Sequence, residues 1–262
     1  RMSTSELPIH GTVYGVLLNA QAEWQSASAL MNEPPYKAPP AAPVLYIKTA
    51  NTWSAHDTAI PVPADVPDVE IGATLGVVMG LPNTHGEPSH VRGFVLLNDV
   101  SVPHSVQAQG FYRPPVKYKN LDGFLGVGPT LLPAADLTQP NALTLEVRVN
   151  GVLRQTLDLR QMRRPLNQLL TDVNDFMTLQ AGDVLMLGDG DAITVGAPLV
   201  AGALKEYMRK YGHRSVEESH AAVRRAWIGR SDMPLYERMI QSDDFTEGSV
   251  AFSEKRDPKF KG

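Results

Sequence analysis

The sequence predicts an α+β fold in which sheet dominates, with a mainly β region over residues 1–190 and a helical segment over 191–262. Three observations carry this. Short runs of Val, Ile, Leu and Tyr bounded by turn residues recur across the first three quarters of the chain, which is the pattern of strands. The 21 prolines and 21 glycines concentrate before residue 202, where they interrupt helices and mark loops. Beyond about residue 196 the apolar residues take helical spacing and the breakers thin out.

The elements follow in order. "IHGTVYGVLLN" (9–19) reads as a short strand. "ALMNEPPYKAPPAAP" (29–43) is a loop, because proline fixes φ and has no amide to donate. "VLYIKT" (44–49), "DVEIGATLGVVMG" (68–80) and "VRGFVLLNDVSV" (91–102) are strands. "LTLEVRVNGVLRQTLDL" (143–159) alternates and holds Asn150-Gly151, the strongest short hairpin signal. In "RPLNQLLTDVNDFMTL" (164–179), Leu166, Leu169, Leu170, Val173, Phe176 and Met177 share one helical face. "AGDVLMLG" (181–188) returns to strand. The glycines of "GVGP" (126–129) and "GDGD" (188–191) fit turns and match no phosphate-loop or dinucleotide fingerprint. After 196, "APLVAGALKEYMRKYG" and "SVEESHAAVRRAWIGRSDMPLYERMI" read as helices, the second opened by a Ser215–Glu218 capping box.

Composition excludes several function classes. The net charge of −4 comes without any basic stripe, so nucleic acid is not an expected partner. The absence of cysteine removes disulfides, thiolate metal sites and thiol nucleophiles together. No apolar run is long enough to span a bilayer, and the N-terminal stretch has no signal-type core. A cytoplasmic protein with no membrane partner is the expectation.

The strand at 68–80 poses a question. Val69, Ile71, Leu75, Val77 and Met79 are large and apolar, yet Gly72, Ala73 and Thr74 sit at its centre. Taken alone, Lys48 and Lys119 read as solvated strand-end lysines and Asp99 as a turn cap. His56, His85, His90 and His104 have no ligand-like spacing and read as surface residues. Asp122, ahead of a glycine turn, reads as a loop-shaping residue.

Five stretches in sequence give a more specific reading: "YKAPPAAPVLYIKTANT" (36–52), "IGATLGVVMG" (71–80), "GFVLLNDVSVPH" (93–104), "FYRPPVKYKNLDGF" (111–124), and "VNGVLRQ" (149–155) with "LLTDVNDFMTLQAGDVLMLG" (169–188). Together they resemble the fumarylacetoacetate hydrolase family, nearest to the N-terminal-type half of the bifunctional decarboxylase/isomerases of 4-hydroxyphenylacetate (homoprotocatechuate) breakdown. The resemblance implies a rolled, mixed β-sandwich around a divalent-metal pocket over residues 8–190. It implies a 2-oxo acid chelated to Mg²⁺ or Mn²⁺, the metal stabilising the enolate formed in decarboxylation, C–C cleavage or proton transfer.

Carried over residue by residue, the family's Glu-x-Glu metal ligands fall on Gly72 and Thr74, so both carboxylates are gone. Asp99 alone matches a metal ligand, and one carboxylate would hold Mg²⁺ weakly. Glu70 could supply an oxygen from the same strand face. Glu23 stands where the family has a histidine. The resemblance implies catalytic roles for Lys119, Asp99 and Glu23, and substrate-carboxylate binding by Lys48, Arg113 and Tyr112, guanidinium being suited to a distal carboxylate.

The last segment departs from that family. "DDFTEGSVAFSEKRDPKFKG" (243–262) resembles the C-terminal end of crotonase (enoyl-CoA hydratase) proteins, without the oxyanion hole and glutamate base of a crotonase core. Three functions are carried forward. The first is a subunit of a decarboxylase/isomerase acting on 2-oxo dicarboxylates from aromatic meta-cleavage, in a homo- or hetero-oligomer with a family-related half. The second is a metal-ligand-depleted, non-catalytic partner of a catalytic half. The third is a crotonase-type acyl-CoA enzyme.

Overall fold

The computed structural model describes residues 7–34, 37–63, 65–103, 115–196 and the backbone of 205–209. One large sheet organises it. Its strands are β1 (Val13–Leu17), β2 (Val44–Lys48), β3 (Trp53–Ala55), β4 (Asp68–Met79), β5 (Val91–Ser101), β6 (Leu125–Pro133), β9 (Val184–Met186) and β10 (Ile193–Gly196), in the order β2-β1-β9-β4-β5-β6-β3, with β10 also on β4. A second sheet holds the hairpin of β7 (Thr144–Val149) and β8 (Val152–Asp158), with β11 (Lys205–Arg209) on its outer side. Among the described residues three α-helices accompany them: α1 (Gln21–Ala27), α2 (Pro115–Lys119) and α3 (Leu166–Asn174). None of the described helices is long and apolar enough to cross a membrane.

The large sheet is mixed. β1 and β9 run parallel, as do β3 and β6, while β9–β4, β4–β5 and β5–β6 are antiparallel. β4 is central and buried on both faces. Ile71, Ala73, Leu75 and Val77 face the larger core, with β7, β8 and α3, and Val78 faces a second core with Val95, Leu97, Val184 and Met186. A strand covered on both faces shows an apolar run rather than alternation, which is how residues 75–79 read.

The hairpin turn is as the sequence predicts: Asn150 and Gly151 take φ of 52° and 79°, the pair of positive values that a type I′ turn needs. α3 buries Leu166, Leu169, Leu170 and Val173. Phe176 is 56% exposed because the helix ends at Asn174, while Met177 beyond it still packs against the core.

Three expectations are corrected. "GVGP" is not a turn but part of β6. Leu97 pairs Val127 and Val95 pairs Leu131, so Pro129 lies in a bulge where its missing amide costs no ladder bond. Lys205–Arg209, expected in a helix, is a strand beside β7. The boundary at 190/191 falls inside the first structural unit, because β10 continues the sheet along β4 and the division into units comes after Lys210. Beyond residue 209 the expected helices and the crotonase-like stretch lie outside the described residues, as does His104.

Candidate functional site

Gly72 pairs with Asp99, and Thr74 with Leu97, across β4 and β5. Period-two geometry therefore puts residues 70, 72 and 74 on the same face as Asp99. On the other edge of β4, Met186 of β9 pairs with Gly76 and Ile193 of β10 pairs with Ile71. Residues 187–192 arch out between these strands, opposite Gly72–Leu75. Gly188 and Gly190, at φ of 111° and 72°, allow the arch to turn, and Asp189 between them is buried. A Cβ on residue 72 would lie 2.6 Å from both the Cβ and Oδ2 of Asp189. The empty centre of β4 is therefore the space into which a loop carboxylate folds.

Asp99 is fully buried and held from three sides. Its Oδ1 lies 2.5 Å from Lys48 Nζ, and its Oδ2 lies 3.0 Å from Lys119 Nζ. The Tyr46 hydroxyl also donates to Oδ2. Tyr46 reaches across β1 because its partner there is Gly15, whose missing Cβ leaves room for the ring. Lys119 Nζ stands 4.4 Å from the centre of that ring, close enough for a cation–π contact.

The two lysines differ. Lys48 is wholly buried, and its ammonium donates to the carbonyls of Val100 (2.7 Å), Lys119 (2.6 Å) and Phe124 (2.9 Å). Those carbonyls use its three protons, so its 2.5 Å contact with Asp99 Oδ1 is an ion pair without a hydrogen bond; Lys48 ties β2 to β5 and to the end of α2, and no proton remains for the substrate-binding role implied for it. Lys119 closes α2, keeps a side-chain exposure of 16%, and among the described residues donates only to Asp99 Oδ2.

The charges shape one another. Burial alone pushes the Asp99 carboxyl up, but the two ammonium groups outweigh it and hold it below the usual carboxylate range. Burial pulls the Lys119 ammonium down, and the charges of Asp99 and Asp189 more than restore it. Lys48 is lowered by burial despite Asp99. Tyr46 is raised well above a normal phenol by burial and then by Asp99. Asp189 is raised to about 7, by burial first and by the Asp99 charge second, with Lys119 opposing.

Glu23 belongs to the same field. It sits in the first turn of α1, is raised chiefly by burial, and is bonded to the backbone of Leu18 and Asn19. Its charge reaches Lys119 and Asp189, and its Oε2 is buried with no hydrogen-bond partner among the described residues. The structure thus brings together Asp99, Lys119, Lys48 and Glu23 of the residues the sequence pointed to. Glu70 lies on the same face at the periphery and adds to the field at Lys119. Arg113 and Tyr112 lie outside the described residues. Asp122 has the loop role expected of it, accepting from Asn51 Nδ2 at 2.7 Å.

Sequence reasoning missed Tyr46 and Asp189. The signal for Asp189 was present: an acid between two glycines, directly after the short strand that flanks the residue lacking a side chain. A cleft of about 290 Å³ lined by Phe94, Leu96, Asn98, His56 and Asp57 opens on the other face of β5 and contains none of these charged groups.

The donors do not fit a divalent metal. Gly72 and Thr74 offer no carboxylate, Asp99 Oδ2 accepts from Lys119 and Tyr46 while Oδ1 is ion-paired with Lys48, and although Asp99 Oδ1 and Thr74 Oγ1 are buried without a hydrogen bond, the described residues contain no group of three His, Asp or Glu able to hold an ion.

Comparison with known proteins adds the following. Residues 12–217 match the family described as fumarylacetoacetate (FAA) hydrolase C-terminal. The 4-hydroxyphenylacetate degradation bifunctional isomerase/decarboxylase of Escherichia coli is 32% identical over 186 residues, which is 70% of this chain and 41% of that protein. The chain thus spans about two fifths of that relative's length. The mitochondrial oxaloacetate tautomerase FAHD2B of Bos taurus is 28% identical over 160 residues, covering 60% of this chain and 51% of that protein. The crystal structure of fumarylpyruvate hydrolase from Pseudomonas aeruginosa, in complex with Mn²⁺ and pyruvate, superposes with a TM-score of 0.58 at 21% identity, covering 79% of this chain and 86% of that one. At that identity it shows the shared curled sheet and no more.

Proposed function

Since the chain belongs to the fumarylacetoacetate hydrolase family, we propose that it is a subunit of an isomerase/decarboxylase acting on 2-oxo dicarboxylates from aromatic meta-cleavage, in 4-hydroxyphenylacetate (homoprotocatechuate) catabolism. The name of the Escherichia coli relative supports the reaction class. The observation that carries the reading is the Lys119 ammonium, held between Asp99 and the Tyr46 ring with part of its surface open. A cation fixed in this way meets the carboxylate and 2-oxo oxygens of such a substrate.

Isomerisation moves a proton between carbons through an enol or enolate, and decarboxylation leaves the C–C electron pair as an enolate. Both place negative charge on the 2-oxo oxygen. A preorganised ammonium in a partly buried pocket stabilises that charge more than water does. Asp189, raised to about 7, suits proton transfer near neutrality, and Glu23 is the second acid within the field. Lys48 and Tyr46 keep Asp99 ionised and in place. Bound Mg²⁺ or Mn²⁺, the family expectation, would polarise the 2-oxo group, but no step here is assigned to it because the donors do not fit it. The proposal includes assembly with a family-related half in a cytoplasmic small-molecule pathway.

A second reading is a non-catalytic half that supports a metal-bearing partner. The consumption of Asp99 by two lysines and a tyrosine favours it. Turnover separates the two. Incubated with a 2-oxo-hexenedioate, the chain should shift the substrate's double bond or release CO₂, and Lys119→Ala should lower the rate by about a hundredfold. A folded chain without turnover would sink the first reading in favour of the second.

A further inference from the structure

We infer that this site takes its 2-oxo acid without a divalent cation, the Lys119 ammonium standing where the chelated ion would act. The inference rests on the proposed substrate class and concerns how this chain's own residues meet it.

The carboxylates that would hold an ion are missing from β4, and the space for one of them is taken. A side chain on residue 72 would meet Asp189, whose Cβ and Oδ2 lie 2.6 Å from the position of its Cβ. The remaining acid is ion-paired on both oxygens, with a hydrogen bond at Oδ2 alone. Asp99 has Lys48 Nζ 2.5 Å from Oδ1, and Lys119 Nζ 3.0 Å from Oδ2 together with the Tyr46 hydroxyl. A hard divalent ion bonds carboxylate oxygen at roughly 2.0–2.6 Å, so it would have to expel an ammonium and then lie close to the other. Two like charges within a few ångströms in a buried site repel strongly.

Lys119, by contrast, is prepared for an oxyanion. Of its three protons one is directed to Asp99 Oδ2, and among the described residues it donates no other hydrogen bond, the carboxyls of Asp189, Glu23 and Glu70 acting on it through their charge alone. Two protons on one nitrogen can meet one carboxylate oxygen and the adjacent 2-oxo oxygen of the same molecule, the pair of atoms that a metal would chelate. The nitrogen is anchored on two sides, by Asp99 and by the Tyr46 ring at 4.4 Å, so it is oriented before the ligand arrives. Asp189, in the position vacated by the strand carboxylate, places an acid beside that pair.

Two binding measurements on the full chain test this, with oxalate as the probe because it presents two adjacent oxygens in one plane. Titration calorimetry in EDTA and in excess Mn²⁺ should give the same oxalate affinity within about threefold. Mn²⁺ alone, followed by electron paramagnetic resonance, should show no stoichiometric binding at micromolar concentrations. Lys119→Ala should weaken oxalate binding at least tenfold in EDTA, and Lys119→Arg, which keeps the charge, should retain part of it if the alanine variant misfolds. Stoichiometric Mn²⁺ binding, or a tenfold gain in oxalate affinity on adding Mn²⁺, would overturn the inference. No oxalate binding in either buffer would overturn it too. Failure of the proposed function is read separately, as metal-independent oxalate binding without turnover of a 2-oxo dicarboxylate.

Discussion

Replacing Asp189 by asparagine should stabilise the protein at alkaline pH and impair its function. The carboxyl ionises near 3.8 in an ordinary setting and near 7 in the fold, because burial and the Asp99 charge disfavour its anion. Between those values the folded state binds more protons than the unfolded chain, so stability falls as pH rises from about 4 to about 7 and is level above. At 1.36 kcal/mol for each pH unit, the full penalty is roughly 4 kcal/mol. Asparagine fills nearly the same volume and does not ionise. Its advantage should be near zero below about pH 4 and reach roughly 2–4 kcal/mol at about pH 8. Urea unfolding in steps between those limits reads the difference as a growing separation of midpoints. A separation that stays constant with pH, or a less stable variant at pH 8, would refute the burial of this acid beside Asp99. Turnover of the 2-oxo dicarboxylate should fall in the same variant, since an acid kept at a cost to stability is usually kept for function.

Three further changes probe the supports of the site. Lys48→Met removes one partner of a fully buried pair and leaves three carbonyls without their donor; it should destabilise by about 3–5 kcal/mol in urea unfolding, and a loss under about 1 kcal/mol would show the pair to be hydrated. Gly72→Ala should cost about 1–3 kcal/mol by overpacking against Asp189; combined with Asp189→Gly it should recover at least about 1 kcal/mol, and strictly additive effects would deny the contact. Gly15→Ala should push the Tyr46 ring off β1 and lower both the melting temperature and the affinity for oxalate; a variant with unchanged oxalate binding would show that Tyr46 does not position Lys119.

Much of the fold was legible because its strands carry their own signals. β4 and β5 are long apolar runs, and Asn150-Gly151 announces the β7–β8 hairpin. β6 was not legible, since "GVGP" has turn chemistry and becomes strand only through a bulge opposite Leu96. In the site, Asp99, Lys119, Lys48 and Glu23 could be marked from motifs, but what each does could not. Lys48 is an ordinary lysine in sequence, and its three carbonyl partners come from β5, α2 and the residue just before β6, which no local pattern brings together. The signal for Asp189 was present but ambiguous, because Gly-Asp-Gly has ordinary turn chemistry. Only the pairing of β9 and β10 along the same edge of β4 shows that this turn opens inward.

An acid carried by that arch is not equivalent to one carried by β4. On the strand, residue 72 is fixed by its pairing with Asp99, and a side chain there would share Asp99's orientation. On the arch, Asp189 depends on contacts from elsewhere. The amide of Leu187 donates to the Leu75 carbonyl at 3.1 Å, and Gln155 Nε2, from β8 of the second sheet, donates to the carbonyls of Asp189 (3.1 Å) and Asp191 (2.6 Å). Leu157 packs close beneath Gly190. The hairpin therefore does more than cover the core: it sets where the Asp189 carboxylate stands. Carrying the acid on the arch rather than on the strand leaves the centre of β4 free and separates its placement from that of Asp99. The strand pair can then hold the cation while the second sheet holds the acid. That division suits a site in which an ammonium fixes the substrate's oxygens and a neighbouring carboxyl exchanges the proton.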